Sequence, residues 1–419
     1  MEMTRTFYPV GQGAFFTEVF ILNDKDDKEQ DCFTVVYDCG SLSGKSILVN
    51  NIDRAFGFLK PRKIDYLFLS HLDTDHVNGV EYLIDEGVLD SKTVIVLPFY
   101  NNHQVELFEV YKSKDYSHLF STLKDYRFNR IVFAPSVTDD RSEDRVTLDM
   151  LELKDSLGGM ENYYNKEKNK FSYPYGGETI EIMGLTGLLL LPNSVLMFDK
   201  VWEYIPFTMN DTASMDFFRK ISESEIVNPN DLEDIRNNVF KNGSRNNRKL
   251  KELRKKYNEV GKPWNGTRIN ANSLVVLSQA EKTVQSLVRL PADIIRGIFH
   301  DENYSYYFPG YLKSEDYAAC VYTGDLNLKS NYDFVLFEEK IQRHLQDRRS
   351  TLLQIPHHGS AGSYNERIAS GISKACFTNF DTSKRIFNKS LLFDFVNINK
   401  PLFMVTEDYD STFVQEVFL

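Results

Sequence analysis

The stretch that most constrains this chain is "YLFLSHLDTDHVNGV", residues 66–80, where an apolar run leads directly into four titratable side chains. These side chains fill four of six consecutive positions and are His71, Asp73, Asp75 and His76. Carboxylates and imidazoles crowded at a strand end are costly to bury unless a shared ligand holds them. The apolar residues that follow recur at helical spacing. The pattern therefore predicts a metal-binding loop between a strand and a helix.

Strand-like runs lie at both ends of the chain and predict a layered α/β fold. The segment between them, 104–265, is charged, rich in asparagine and mostly helical in pattern, so we expect a largely helical insertion there. Within it, "GLTGLLLLP" at 184–192 has the length of a core strand. The strand-like runs are 14–22, 32–40, 64–72, 93–100, 272–279, 317–328, 350–360, 374–380 and 401–410.

The overall charge limits the ways in which this chain can meet a polyanion. Of its 419 residues, 42% are hydrophobic, which is typical of a folded globular protein. A net charge of −11 repels nucleic acid and anionic membranes, so contact with phosphates requires metal ions or a local basic patch. One such patch is present, because residues 241–256 hold eight lysines or arginines against one glutamate.

Cysteine usage and hydropathy predict a cytoplasmic protein. The four cysteines are widely spaced, with no CxxC pair, as in reduced proteins. The N-terminal segment has no basic stretch followed by an apolar one, so we expect no secretion signal. No run approaches the roughly 20 apolar residues of a membrane span, and we expect no membrane contact.

Two further strand ends carry candidate metal ligands. Asp325 follows the apolar run "AACV", and His357 and His358 follow "LLQIP". Strand ends on one edge of a sheet converge, so these residues are predicted to meet the loop at His71. Imidazole and carboxylate without thiolate suit Zn²⁺, Mn²⁺ or iron, and the ligand number allows two ions. The isolated histidines, His103, His118, His300 and His344, are predicted to be ordinary surface or core residues.

Six short motifs together resemble the metallo-β-lactamase superfamily. "SHLDTDHVNG" resembles its signature loop, in the form SHxDxDHxxG. "PVGQGAFF", "VVYDCGS" and "NANSLVVL" resemble the opening, the second-strand turn and a later strand of the domain in ComEC-type DNA-uptake proteins. "YTGDL" and "PHHGS" resemble the bridging-aspartate and late-histidine motifs of that group. The resemblance covers about residues 5–100 and 267–419.

The resemblance implies a four-layer αββα sandwich whose two halves, 1–103 and 266–419, flank the insertion at 104–265. It implies that His71 holds a first ion, that Asp75 and His76 hold a second, and that Asp325 bridges both. One of His357 and His358 would complete the second ion, and the sequence does not decide which.

Three departures from the family pattern concern the first ion. Asp73 stands where the common pattern has a second histidine, and Ala14 replaces the aspartate of VGQGD. The usual mid-chain histidine is missing, because Asn270 and Asn272 occupy that stretch. The first site is therefore richer in oxygen, which favours Mn²⁺ or weak occupancy over a full Zn²⁺ site. An enzyme with one ion is the alternative.

The predicted function is hydrolysis of phosphodiesters by a metal-bound hydroxide, as in a nuclease, with Asp75 and Asp325 as catalytic residues. Predicted substrate-binding residues are Asn270, Asn272, Lys249 and Arg254. Nucleic acid would approach along 241–256, and a protein partner could dock on the insertion. Two alternatives are a hydrolase of small esters, lactones or thioesters, and a non-catalytic, metal-stabilised subunit of a larger complex.

Overall fold

The structure is a computed structural model that describes most of the two predicted halves and part of the segment between them. The described residues are 1–22, 32–57, 63–100, 113–137, 145–158, 177–182, 184–209, 273–282, 284–289, 319–345, 351–371, 373–383, 389–398 and 400–419, with isolated positions between 220 and 259.

Ten described strands form the first sheet. They are β1 (Glu2–Phe7), β2 (Gly13–Ile21), β3 (Cys32–Ser41), β4 (Tyr66–Phe68), β5 (Val94–Pro98), β6 (Ile131–Ala134), β9 (Glu178–Ile182), β10 (Leu185–Leu189), β14 (Gln285–Arg289) and β19 (Phe413–Phe418). Their order across the sheet is β14-β19-β1-β2-β3-β4-β5-β6-β10-β9. The central run from β3 through β4, β5 and β6 to β10 is parallel.

The second sheet has nine described strands. They are β7 (Ser136–Val137), β8 (Val146–Asp149), β11 (Ser194–Phe198), β12 (Trp202–Met209), β13 (Leu274–Ala280), β15 (Ala319–Tyr322), β16 (Thr351–Gln354), β17 (Ala375–Asn379) and β18 (Leu402–Val405). The order is β18-β17-β16-β15-β13-β12-β11-β8, with β7 paired to β12. The strands β15 to β18 run parallel to one another.

Helices cover the outer faces of both sheets. The described helices are α1 (Lys45–Phe56), α2 (Thr74–Val77), α3 (Val80–Asp85), α4 (Ser113–Asp125), α5 (Met150–Gly158), α6 (Asn331–His344), α7 (Arg367–Ser370) and α8 (Lys389–Asn397). Apolar residues of α1, α3 and α4 pack on the first sheet, and those of α6, α7 and α8 pack on the second. The architecture is therefore the four-layer αββα sandwich that the sequence predicts.

Alternating side chains along the strands build the core between the sheets. In β5, Val94 and Val96 face this inner core, while Ile95 packs on the helical side. This alternation is the two-residue period of an extended strand. Aromatic rings join the sheets, because Phe7 of β1 stacks on Phe377 of β17 with ring centroids 4.0 Å apart. Strands buried on both faces account for the nearly continuous apolar runs in the sequence.

The middle of the chain differs from the predicted helical insertion. Residues 131–209 contribute β6, β9 and β10 to the first sheet and β7, β8, β11 and β12 to the second. The core strand predicted at 184–192 is confirmed as β10. Most of the remaining strands have five residues or fewer, so pairing within the sheets, which includes β6 with β5 and β12 with β13, determines their conformation more than local pattern does. Between 210 and 272 only isolated positions are described, and these are helical.

A buried ionic network crosses the inner core. Arg5 Nε donates to Glu18 Oε1 at 2.7 Å, and both side chains are almost fully buried. From the second sheet, the hydroxyls of Tyr204 and Tyr322 also donate to Glu18, at 2.6 and 2.7 Å. Burial opposes the charge on Arg5, but the carboxylate of Glu18 outweighs it and raises the arginine pKa. Glu18 therefore links the two sheets.

Replacing Glu18 with glutamine should destabilise the fold strongly. The substitution leaves the Arg5 guanidinium buried without a counter-charge, and breaking a buried pair in this way costs about 3–5 kcal/mol. Urea denaturation followed by circular dichroism measures the loss. Glu178→Gln, at an exposed position of β9, is the control and should change stability by less than about 0.5 kcal/mol. Equal losses in both variants would contradict a structural role for the network.

Among the described helices, none is both long and apolar enough to cross a membrane.

Candidate metal centre

Three strand ends meet at one end of the sandwich. The first is the end of β4, which leads through Ser70 and His71 into α2. The second follows β15 and carries Asp325, and the third follows β16 and enters a 3-10 turn at Pro356–Gly359. The two sheets are joined here, because the Leu274 amide at the start of β13 donates to the Ser70 carbonyl at 2.6 Å. The chain therefore converges where the sequence predicts it.

The Asp325 carboxylate lies at the centre of this cluster and is almost fully buried. Its Oδ1 is 3.2 Å from His76 Nε2, and its Oδ2 is 3.6 Å from His71 Nε2. The two histidines of the 3-10 turn also face it, each through Nε2 at 3.5 to 3.6 Å. Two groups of side chains offer ligand atoms within 4.8 Å of one another: His71, His76 and Asp325, and Asp75, His76 and His358.

Three buried imidazole nitrogens in the cluster have no hydrogen-bond partner among the described residues. They are the Nε2 atoms of His71, His76 and His358. Buried polar atoms are rarely left without a partner, so each such atom requires an explanation. A divalent cation shared by these nitrogens and the neighbouring carboxylates satisfies them together. The donor set fits a metal ion.

The opposite ring nitrogens are anchored in a way that sets the tautomers. His76 Nδ1 is 2.7 Å from Asp38 Oδ2, and His358 Nδ1 is 3.1 Å from the carbonyl of Asn379. Since these oxygens only accept, each Nδ1 carries the hydrogen, which leaves Nε2 as the atom that can bind a cation. Ser70 Oγ donates to Asp38 at 2.6 Å, so it accepts from His71 Nδ1 at 2.9 Å. The Nδ1 atom of His71 therefore also carries the hydrogen.

A β-bulge directs Asp38 into this position. Opposite β2, Phe15 pairs with Cys39 and Phe16 pairs with Tyr37, which leaves Asp38 as the extra residue. Its φ of 55° lies in the left-handed region, where non-glycine residues are uncommon. Bulges of this kind re-aim a side chain next to functional sites. The backbone amide of Ser70 also donates to Asp38, at 2.6 Å.

The electrostatics of the cluster favour a bound cation. Burial and the neighbouring His76 lower the pKa of His71 to about 4, so His71 is neutral at pH 7, the form that binds metals. Burial would raise the pKa of Asp75, but the neighbouring His358, with Nε2 3.6 Å from Oδ2, and the charge of His76 lower it. Burial likewise opposes the charge on His76, but Asp38 and Asp325 outweigh it and raise the His76 pKa well above its ordinary value. These carboxylates therefore stabilise positive charge at His76, which a bound cation would supply in place of the proton.

Two glycines permit the close packing of these loops. A Cβ on Gly40, in the turn after Asp38, would collide with the backbone of Asp75. Gly324, directly before Asp325, has a φ of 53°, and a side chain there would collide with Ser70. Both positions require glycine, because three strand ends share one small volume and leave no room for a side chain.

The structure brings together all seven predicted metal-site residues. Asp73 lies at the margin, with Oδ2 3.8 Å from His71 Nε2. The supporting residues Asp38, Ser70 and Asn379 were not among the predicted site residues; the one available signal was the "DCG" motif near the end of β3. The predicted substrate-binding residues Asn270, Asn272, Lys249 and Arg254 lie outside the described residues, as do His103 and His300.

The remaining two histidines lie away from the cluster. His118, on α4, is exposed with Nε2 3.6 Å from Glu81. His344 ends α6 on the outer side of the second sheet, where its carbonyl accepts from the Gln279 side chain at 2.7 Å.

Comparison with known proteins agrees with the fold. Residues 30–151 match the family model of the metallo-beta-lactamase superfamily. This range includes the loop from His71 to His76 and ends before Asp325. The match indicates a metal-dependent hydrolase in general, and members of this superfamily usually bind divalent metal ions. No curated protein matches the chain.

Proposed function

We propose that this protein is a metal-dependent phosphodiesterase that acts on nucleic acid. One observation carries the proposal: the buried Nε2 atoms of His71, His76 and His358 lie beside the carboxylates of Asp75 and Asp325 and have no hydrogen-bond partner among the described residues. This donor set has no thiolate and suits Zn²⁺ or Mn²⁺.

The carboxylate of Asp325 lies between two groups of ligands. We assign His71 and Asp73 to a first ion and Asp75, His76 and His358 to a second, with Asp325 bridging. When bound, such ions polarise the scissile phosphate and lower the pKa of a bound water toward neutrality. Because Asp73 stands where the common family pattern has a histidine, the first ion would have a more oxygen-rich environment than in that pattern, which favours Mn²⁺ over Zn²⁺.

The side chains of the chain itself fix the geometry of the reaction. Asp75 lies beside His358, with Oδ2 3.6 Å from Nε2, and presents a carboxylate that stays ionised at neutral pH. Such a carboxylate can accept a hydrogen bond from the attacking water and orient it. Asp38 holds the His76 ring from behind, so the ligand nitrogen needs no reorganisation during turnover.

Two observations from the sequence support a phosphodiester as the substrate. The motifs resemble those of the ComEC-type domain, a group associated with DNA handling. The segment 241–256 also concentrates positive charge in an acidic chain, and its Lys255 is exposed, with Nζ 3.9 Å from Glu259. A polyanion approaching this segment would be attracted locally although the net charge is −11.

A substrate screen tests the proposal. Purified protein loaded with Mn²⁺ or Zn²⁺ is assayed on single-stranded DNA, double-stranded DNA, RNA and bis-p-nitrophenyl phosphate. We expect cleavage of at least one nucleic acid, with Asp75→Ala as the inactive control. Hydrolysis of a lactone or thioester without cleavage of phosphodiesters would replace the proposal with a small-molecule hydrolase. No turnover with any metal, together with a co-purifying protein, would replace it with a partner subunit.

Charge reversal in the basic segment should weaken the binding of nucleic acid and leave the binding of a small phosphodiester unchanged. In the Lys249→Glu, Arg254→Glu, Lys255→Glu variant we expect a KM for nucleic acid at least about tenfold higher and a weaker salt dependence. The KM for bis-p-nitrophenyl phosphate should stay unchanged. The matched control reverses three exposed lysines elsewhere, Lys92, Lys200 and Lys282. Equal effects of both variants would show that only net charge matters.

Asp38→Asn should weaken metal binding without removing a ligand. The change keeps the side-chain shape but removes the charge that holds His76 Nδ1. Loss of such a supporting carboxylate typically costs about 10- to 100-fold in metal affinity. Competition with a fluorescent chelator measures this affinity. Asp65→Asn is the control, since that carboxylate accepts from the Thr34 amide at 2.8 Å, outside the ligand cluster. An unchanged affinity in Asp38→Asn would contradict the positioning role.

A further inference from the structure

The two oxygens of Asp325 face different partners. Oδ1 is 3.2 Å from His76 Nε2 and 3.6 Å from His358 Nε2. Oδ2 is 3.6 Å from His71 Nε2 and 3.5 Å from His357 Nε2. The bridging carboxylate thus divides the cluster into two sides, and each side receives one histidine from the β4 loop and one from the 3-10 turn.

Each side also has one acidic side chain from the β4 loop. Asp75 Oδ2 lies 3.6 Å from His358 Nε2, on the Oδ1 side. Asp73 Oδ2 lies 3.8 Å from His71 Nε2, on the Oδ2 side. The two sides therefore have the same composition of two imidazoles, one terminal carboxylate and one oxygen of Asp325.

The backbone of the 3-10 turn allows two adjacent residues, His357 and His358, to face the same cluster. His357 and His358 have φ values of 51° and 52°, both left-handed, whereas adjacent side chains of an extended strand point to opposite faces. Paired non-glycine residues in this region are strained, and such strain concentrates at functional sites. The outer ring nitrogens are anchored separately: His357 Nδ1 lies 3.0 Å from Ser363 Oγ, and His358 Nδ1 lies 3.1 Å from the Asn379 carbonyl.

The stretch before β13, where the family pattern has a histidine, provides a different contact. Ser273 Oγ accepts from the backbone amide of Asp325 at 3.2 Å and so positions the bridging residue. That contact supplies no imidazole to the first ion. His357 lies on the Oδ2 side of the cluster, where this chain lacks the imidazole that the family pattern has.

We propose that His357 is a ligand of the first ion and takes the place of the missing mid-chain histidine, so that both members of the "HHG" pair coordinate, one to each ion. This assignment rests on the proposed two-ion centre. The Oδ2 side, which would hold the first ion, is the more exposed one. The side chains of His357 and Asp73 on this side are 16% and 21% exposed, whereas that of His358 on the Oδ1 side is 2% exposed. The first ion therefore exchanges faster with solvent than the second.

Counting bound ions in single and double variants tests the proposal. Plasma mass spectrometry after gel filtration should give two ions per chain for the wild type and one for His357→Ala. His357→Ala, Asp73→Ala removes two ligands of the same ion and should still retain one. His357→Ala, Asp75→Ala damages both sides and should retain none. The control His344→Ala, at a partly buried histidine outside the cluster, should retain two.

A second variant reports coordination directly and independently of catalysis. His357→Cys loaded with Cd²⁺ should show the ultraviolet charge-transfer band of a cadmium thiolate, and circular dichroism verifies its fold. Two ions in His357→Ala with unchanged affinity, a wild type with only one ion, or no thiolate band would each overturn the proposal. Two ions in the wild type without cleavage of any phosphodiester would refute the proposed function and leave the ligand assignment standing.

Discussion

Asp325→Asn is expected to lower kcat for phosphodiester hydrolysis by about a thousandfold or more, which corresponds to about 4 kcal/mol of transition-state stabilisation. The variant keeps the side-chain shape and removes one negative charge from the centre of the cluster. Four imidazole nitrogens lie 3.2 to 3.6 Å from this carboxylate, those of His71, His76, His357 and His358. No other side chain contacts as many members of the described cluster.

The electrostatic surroundings explain why the charge matters more than the shape. Burial would raise the pKa of Asp325, but the surrounding histidines, His357 foremost, lower it well below its ordinary range. The carboxylate is therefore ionised across the neutral range, and its charge is balanced by whatever cation the site binds. An amide cannot bridge two cations in the same way.

Steady-state kinetics with saturating metal give kcat, and plasma mass spectrometry gives the ions retained. Asp65→Asn, a partly buried carboxylate outside the cluster, is the matched control and should keep full activity. A fall of less than tenfold in Asp325→Asn with both ions retained would remove Asp325 from the catalytic residues.

The convergence of the site was predictable because it depends on local patterns. The apolar runs before His71, Asp325 and His357 predict strands, and the ends of the neighbouring parallel strands β15 and β16 meet at one edge of the second sheet. β4 belongs to the first sheet, and the packing of the two sheets brings its end to the same cluster. The strands β4, β15 and β16 do end at this cluster. The helix after the loop follows from apolar spacing, although the structure divides it at Asn78 and Gly79 into α2 and α3.

The contribution of Asp38 could not be predicted, because it depends on a bulge in the pairing of β3 with β2. A bulge adds one residue that has no partner on the opposite strand, and its position depends on that strand and not on the local sequence. Six of the seven strands within 131–209, all except β10, were missed for a related reason. Most of them are short, and the segment joins the sheets through partners outside it, since β6 pairs with β5 and β12 pairs with β13.

Removing Asp75 and His76 together is expected to abolish binding of the second ion while the chain stays folded. Both residues belong to the group of ligand atoms that also includes His358. An ion that binds only the folded state stabilises it by mass action, by about 2.7 kcal/mol at a concentration of 100 times its Kd. The Asp75→Ala, His76→Ala variant should therefore lose most of the thermal stabilisation that added Zn²⁺ or Mn²⁺ gives to the wild type.

The matched control removes another acid and histidine pair, Glu81 and His118, which lie 3.6 Å apart on the exposed surfaces of α3 and α4. Glu81→Ala, His118→Ala should melt higher with added metal, as the wild type does, and should lose this gain when a chelator is present. Melting curves recorded by circular dichroism with metal and with chelator measure both effects. A metal-dependent shift of wild-type size in Asp75→Ala, His76→Ala would place the stabilising ion elsewhere. Because the two pairs have the same chemical groups and differ in burial, a difference between the variants isolates the buried cluster as the metal-binding element.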